Sequence, residues 1–407
     1  MDICSYTGRG QIYAYYTPNY VTRFELLRIN LWWQTALLTI VLAGGITTAA
    51  AQDLPPCFDR EHFRDPPWID GTRYCLEHII TDPAGEELAF TALAAAPDGT
   101  LYAARPLAGE VYAITDTDQD GLPDSALVVA DELTLPNGLD YHENALYIAG
   151  GPHLYRLSAD GTVETLVDDL PVGSSGWAGS VIVGPDDRLY VSIGTGCDDC
   201  APAQAEQGAI LSFALDGTDQ ALVATGLRQG GDMAFLQGEL WVTDSSPMSS
   251  PQPDELNRVR WGDDFGWPSC DSEAASATGT TCPDSLPPAL TFPAGSTPLG
   301  MTAYTSETLP RLTDTLLVTL NGSRHTPQIE GYALAVIHID ETGSPLSSEI
   351  LIPVETPTRD KGGYSVAEMN FRGSGFWPQR PLDVAVSPEG WLYLSITGGQ
   401  ILAVRPA

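Results

Sequence analysis

The chain has 407 residues, 53 of them acidic and 19 basic, for a formal charge of −34. A field of that sign repels phosphate polyanions, which excludes nucleic acid and anionic membrane surfaces as partners. Hydrophobic residues at 43% and charged residues at 18% exclude a disordered chain, because there is ample apolar material for a core. Forty glycines and 32 prolines break helices too often for a helical protein and suit short strands joined by tight turns.

In chain order the first feature is an export signal. Arg23 and Arg28 precede an apolar run from Leu31 to Ile46, and Ala49-Ala50-Ala51 supplies the small residues that signal peptidase accepts. Cleavage after Ala51 is expected, so 1–51 reads as a signal peptide, 52–89 as an N-terminal segment and 90–407 as the main domain. A membrane anchor is the rival reading, but the run is short for a bilayer and contains Gln34, Gly44 and Gly45. The mature chain is therefore expected to have no membrane span and to be exported, to a periplasm or outside the cell. It keeps six cysteines, Cys57, Cys75, Cys197, Cys200, Cys270 and Cys282. An even number in an exported chain suggests disulfides, and their grouping suggests local pairs, 57 with 75, 197 with 200 and 270 with 282. Metal binding by Cys197 and Cys200 is the rival, without a second Cys/His pair at the required spacing.

Beyond residue 90 the organisation is a repeat. A strand reading apolar-aromatic-apolar recurs at Leu101-Tyr102, Leu146-Tyr147, Leu189-Tyr190, Leu240-Trp241, Leu317-Val318 and Leu392-Tyr393, at spacings of 45, 43, 51, 77 and 75. A second strand follows each one, at Val111-Tyr112, Leu154-Tyr155, Ile210-Leu211, Asn257-Arg258-Val259, Leu334-Ala335-Val336 and Ile401 to Val404. Six all-strand units predict an all-β, six-bladed β-propeller, in preference to an unrepeated sandwich. The sixth unit ends at its third strand, so a segment near Cys75 to Ile80 is expected to supply the fourth and close the ring.

This register sorts the loops between two rims. Arg228 and Arg380 precede inner strands and are expected at one mouth of the channel. Guanidinium forks pair with carboxylates in two-point fashion, so the two read as an anion clamp; each bridging an acidic neighbour is the other reading. At the opposite rim, Asp116, Asp118, Asp120 and Asp124 stand at loop positions 1, 3, 5 and 9 with Gly121 at position 6. Oxygen ligands at that spacing suit calcium, although Leu127 stands where an EF-hand needs a Glu. A merely solvated acidic turn is the alternative.

Several segments carry a family resemblance. Asp254-Glu255-Leu256-Asn257-Arg258-Val259 followed by Gly262-Asp263-Asp264-Phe265-Gly266-Trp267-Pro268 resembles the signature of the soluble quinoprotein glucose/sorbosone dehydrogenases. Gly226-Leu227-Arg228, Gly184-Pro185-Asp186, Gly194 through Cys200, Gly322-Ser323 and Arg380 to Val384 follow the family order, and Cys197-x-x-Cys200 is most similar to the sorbosone branch. The resemblance implies a propeller that binds pyrroloquinoline quinone and calcium and oxidises a sugar or sugar aldehyde by hydride transfer, passing electrons on to an acceptor. It implies a quinone site at Arg228, Gln229, Arg380, Trp177 and Arg324.

The sequence also departs from the family. Where the family has its general-base His the chain reads Gly176-Trp177-Ala178-Gly179, and no side chain there takes a hydroxyl proton. The family's Asn after the arginine is Gln229, and its fifth-blade Lys has no counterpart. His325, on a loop at the mouth, is the candidate substitute base, with a solvent-exposed loop histidine as the alternative. Two classes of function remain: an exported quinoprotein sugar dehydrogenase with an altered base, and a non-catalytic propeller that binds a glycan or a partner protein. A gluconolactonase-like metal hydrolase is a distant third, because the mouth has too few carboxylates in sequence.

Overall fold

The computed structural model describes residues 55–407 other than 119, 176–177, 249, 270–284, 325–327 and 356–362. The expected signal peptide and the expected Cys270–Cys282 pair lie outside the described residues. An N-terminal strand, β1 (Tyr74–Thr81), precedes six sheets that follow one another along the chain. The first holds β2 (Leu93–Ala95), β3 (Leu101–Arg105), β4 (Glu110–Thr115) and β5 (Ser125–Ala130). The second holds β6 (Pro136–His142), β7 (Ala145–Gly150), β8 (His153–Ser158) and β9 (Val163–Val167). The third holds β10 (Val181–Val183), β11 (Arg188–Ile193), β12 (Ala209–Ala214) and β13 (Ala221–Thr225). The fourth is built from β14 (Met233–Leu236), β15 (Glu239–Asp244) and β16 (Asp254–Val259). The chain then leaves it to lay β17 (Asp263–Asp264) parallel to β13, and returns as β18 (Leu290–Phe292).

β19 (Pro298–Tyr304), β20 (Thr315–Leu320), β21 (Ala333–Ile339) and β22 (Pro345–Ile352) form the fifth sheet. β23 (Pro381–Val386), β24 (Leu392–Ile396) and β25 (Gln400–Pro406) form the sixth, and β1 completes it. One α-helix is described, Val366–Phe371, started by a reciprocal capping box between Ser365 and Glu368. Each inner strand touches the next, and β23 touches β2, so six blades close into a β-propeller.

The two series of strand motifs are the second and third strands of successive blades. Their apolar content is high on both faces, as in β20, whose residues are all buried, because each blade face is covered by a neighbour. The core therefore lies between sheets. Trp241 of β15 packs with Leu316 and Val318 of β20, and Val111 of β4 with Leu146 and Ile148 of β7. Outer strands are less covered, and Leu127 and Val163 are exposed there.

A buried ionic cluster sits where the ring closes. β1 pairs antiparallel with β25 from Tyr74 opposite Pro406 to Thr81 opposite Gln400. Period-two alternation turns Glu77 inward, where it accepts from Arg60 at 2.7 Å and Arg405 at 3.0 Å. Arg405 also lies 4.4 Å over the Trp391 ring and donates to the Gly121 carbonyl. Cys57 is bonded to Cys75, which ties the segment before β1 to the strand itself.

Replacing Glu77 by Ala leaves two buried guanidiniums without their shared carboxylate. It is expected to cost about 3–5 kcal/mol, the range for breaking a buried ion pair from one side. Guanidinium chloride unfolding reads this as a lowered midpoint, and a cost below about 1 kcal/mol would show that closure does not depend on this cluster.

Candidate ligand site at the propeller mouth

The inner strands are short, and the edge of each that faces the channel has no neighbouring strand. Buried side chains satisfy it. Ser192, Thr243, Thr319 and Ser395 are fully buried at matching positions of β11, β15, β20 and β24. Each hydroxyl accepts from the inner strand of its own blade, from Ser180, Asp232, Gly300 and Asp383 in turn. The first three also donate to a carbonyl of the next blade, Gly231, Leu299 and Leu382. This alignment sets Leu316, not Leu317, opposite Leu240 and Leu392. The fifth unit of the sequence reading was one residue out of register, because Leu316 and Leu317 are both apolar and only the hydroxyl at Thr319 distinguishes them.

Three carboxylates line the channel. Asp232 and Asp383 hold equivalent places, and Asp140 lies two residues further along its strand. Each reaches a backbone amide of the following blade: Asp140 takes Val183, Asp232 takes Met301 and Asp383 takes Leu93, all at 2.7 Å. Burial pushes Asp140 up to about 7, against the Val183 hydrogen bond that favours ionisation. Asp232 is raised by burial, and Asp383 is raised well above the usual carboxylate range by burial and then by the charge of Asp232. Sequence reading missed this trio; aligning the inner strands on Gly231-Asp232 and Leu382-Asp383 would have exposed two of its members.

Above the trio the channel widens into a cavity of about 760 Å³, lined by inner-strand residues of all six blades and by Arg228, Gln229, Asp198, Asn321 and Arg324. The turn at 228–230 is shaped by Asp244, whose carboxylate accepts from the amides of Arg228, Gln229 and Gly230. Burial raises Asp244 above the usual range, opposed by these bonds and by the Arg228 charge. The Arg228 guanidinium is itself buried: Nε donates to the Ser245 carbonyl, one terminal nitrogen to Gln229 Oε1 at 2.9 Å, and the other to the Asp198 carboxylate at 3.1 Å. Arg324 is exposed and donates to Asn321 Oδ1 at 3.1 Å.

Arg380 is placed differently. It donates to the carbonyls of Asn321, Gly322 and Ser323, stacks 4.5 Å over Tyr332, and is not among the residues lining the cavity. Counted from the equivalent carboxylates, Arg228 stands four residues before Asp232 and Arg380 three before Asp383. Arg228 sits in the turn held by Asp244, with Gly230 at a φ of 55°, whereas Arg380 directly precedes β23, so the two arginines leave the chain from different local backbones and Arg380 binds a blade instead of the cavity. Trp177 and His325 lie outside the described residues.

At the far rim, carboxylate oxygens of Asp116, Asp118 and Asp120 lie within 4.8 Å of one another. Asp124 is not with them: its carboxylate accepts from the Thr117 amide at 2.7 Å and from the Thr117 hydroxyl, which together hold it below the usual range. Gly121 has a φ of 89°, and a Cβ there would meet the Arg405 guanidinium, so both conformation and space require glycine.

The architecture and mouth define a six-bladed propeller with an arginine-lined cavity over an acidic channel. Residues 155–330 match the family model for glucose/sorbosone dehydrogenases, so the resemblance carried by the sequence motifs holds over that stretch. Among solved structures the chain is similar to the calcium structure of a Trichoderma reesei carbohydrate-active enzyme of family AA12, with 17% identity, 85% of this chain and 98% of that one covered, and a TM-score of 0.66. It is also similar to the holo form of the pyranose dehydrogenase PQQ domain from Coprinopsis cinerea (16% identity, 82% and 95% covered, TM-score 0.63). The PQQ-bound aldose sugar dehydrogenase from Streptomyces coelicolor is another relative in shape (16%, 84% and 100%, TM-score 0.57). At these identities the likeness carries the fold. No curated protein matches.

The channel carboxylates make stability depend on pH with a definite sign. A carboxyl raised on folding contributes stability that is complete below its unfolded value near 4 and lost as pH climbs through its folded value. Asp140 at about 7 and Asp254 at about 6 place that loss between pH 4 and 8, whereas lowered carboxyls such as Asp124, Asp160, Asp216 and Asp340 act below pH 4. Melting temperature is therefore expected to fall from pH 5 to pH 8, and Asp140→Asn to flatten the fall. A wild-type melting temperature that climbs across this window would overturn the assignment.

Proposed function

We propose that the protein is an exported quinoprotein dehydrogenase acting on a sugar or sugar aldehyde. The observation that carries this reading is the donor set of one cavity: two guanidiniums, Arg228 and Arg324, and two amides, Gln229 and Asn321, in a chain of net charge −34. Such a set suits a polycarboxylate, and pyrroloquinoline quinone is one. The family match over 155–330 supports the same choice. When bound, the quinone supplies the hydride acceptor.

The chain's own residues orient and shield. Arg228 and Arg324 would hold carboxylates of the group, with Gln229 and Asn321 as neutral donors beside them. The Asp244 turn fixes Arg228 before any ligand arrives, so little ordering is left for binding to do. The apolar lining, which includes Leu139, Leu299 and Met301, excludes water beneath the ligand. Gly176 stands where the resemblance expects the base, so the proton of the substrate hydroxyl has no acceptor there, and His325 is the residue proposed to take it. Calcium is proposed at Asp116, Asp118 and Asp120, whose three carboxylates fit the ion's oxygen preference. Its role there would be structural, since Gly121 of the same loop accepts from Arg405 of the closing strand.

Titration of the purified protein with quinone and calcium, followed by dye reduction with aldoses, tests the reading. Saturable visible absorbance is expected, with Arg228→Gln weakening binding by roughly 2–4 kcal/mol. Aldose oxidation is expected to run slower than with a positioned base by a factor of roughly 10² to 10⁴, and Gly176→His to recover part of it. Absence of quinone binding would leave a non-catalytic propeller that recognises a glycan or a protein.

The calcium site has its own test. A chelator is expected to lower the melting temperature, and Asp118→Asn with Asp120→Asn to abolish that response. An unchanged response in the double variant would move the ion elsewhere.

A further inference from the structure

The geometry points to Asp198 as a built-in anion that fills the carboxylate seat of Arg228, held there by the Cys197–Cys200 bridge, so that a ligand enters the mouth by exchanging its own carboxylate for that of Asp198. The inference rests on the mouth being a polycarboxylate site, and it adds a residue that sets which anions gain entry.

Arg228 has few donors to spare. Its Nε is committed to Ser245 and one terminal nitrogen to Gln229, and the other donates twice to Asp198, once to the carbonyl and once to Oδ1, each at 3.1 Å. The two partners are unequally buried, with 8% of the Arg228 side chain exposed against 42% of the Asp198 side chain. The arginine is therefore the fixed member and the aspartate the one that water can take back. Asp198 Oδ1 has one further partner, the Met248 amide at 3.2 Å.

The loop around Asp198 is restrained from both sides. Cys197 and Cys200 are disulfide-bonded across a separation of three residues. The Cys197 carbonyl accepts from the Thr195 hydroxyl at 3.1 Å, the Cys200 carbonyl accepts from Trp267 Nε1 at 3.1 Å, and the Thr195 amide donates to the Arg228 carbonyl at 2.8 Å. So short a bridged loop keeps Asp198 near the guanidinium even when its carboxylate is displaced.

This arrangement discriminates by valence. Asp198 contacts the guanidinium through a single carboxylate oxygen, and a lone monocarboxylate gains little by replacing it. A ligand that also reaches Arg324 gains a second ion pair in the same cavity, and charge-assisted pairs of this kind add geometric selectivity as well as strength. The seat is thus biased toward polycarboxylates over the small anions that surround an exported protein.

Isothermal titration at one fixed ionic strength, with citrate and with pyrroloquinoline quinone as separate probes, tests the idea on the folded protein. Asp198→Asn preserves shape and the backbone acceptor, and is expected to bind citrate about 10-fold more tightly than wild type, with the gain lost when Arg228→Gln is added. An unchanged or weaker citrate affinity in Asp198→Asn, or no citrate binding by any variant, overturns the proposal. The Cys197→Ser, Cys200→Ser variant is expected to show a smaller gain, and no gain there overturns the part assigned to the bridge. Citrate that follows this pattern while no variant binds the quinone would sink the quinone reading and sustain the role of Asp198.

Discussion

An inner propeller strand has an edge with no strand beside it, and its backbone N–H and C=O groups must still find partners. Much of the rest of the molecule follows from that requirement. It places the buried hydroxyls Ser192, Thr243, Thr319 and Ser395 at one level of the blades, where each takes an amide of its own inner strand. It also recruits Asp140, Asp232 and Asp383, each of which captures an amide of the next blade. These bonds cross between sheets, so they fix how blades sit around the channel as well as satisfying polar groups. Apolar burial, being non-directional, would set the angle between neighbouring blades less sharply than these bonds do.

The same requirement shapes the electrostatics of the mouth. Carboxylates are drawn into the channel to serve the strands, and burial raises them. Guanidiniums sit above them in a cavity that is otherwise largely apolar. An anionic ligand arriving from solvent meets the exposed Arg324 first, with Arg228 buried behind Asp198, and burial disfavours the charged form of the carboxyls beneath. Asp244 belongs to the same scheme from the other side: it is spent on the backbone of 228–230, which leaves the Arg228 side chain to face outward toward Ser245, Gln229 and Asp198.

The fold, and the blade register outside the fifth blade, were legible because propeller blades repeat a pattern that period-two alternation and turn chemistry both write into sequence. Leu189-Tyr190-Val191-Ser192 and Leu392-Tyr393-Leu394-Ser395 announce a second strand together with its hydroxyl. The site was less legible. Arg228 was found by its position before an inner strand, and the cavity lining includes it; Arg380 looked equivalent, but it lacks the Asp244-held turn of Arg228 and lies on Tyr332 and the 321–323 carbonyls. Asp124 fitted a loop spacing, and a local bond to Thr117 claimed it first. An acidic partner for Arg228 was among the readings, but its identity was hidden, because Asp198 lies 30 residues away and reaches it only through the folded 194–200 loop.

The sixth blade joins strand 74–81 to strand 400–406, so the earliest and latest parts of the domain are neighbours. A chain that emerges from its amino end carries β1 for more than three hundred residues before the partner strand exists. Throughout that interval Glu77 lacks Arg405, and an open arc of blades presents sheet edges to whatever lies nearby. The sixth blade is complete only when β25 is in place beside β1. Ring closure is thus tied to the pairing of greatest sequence separation in the domain, and a chain cut before residue 400 would keep β1 but lose the strand it pairs with.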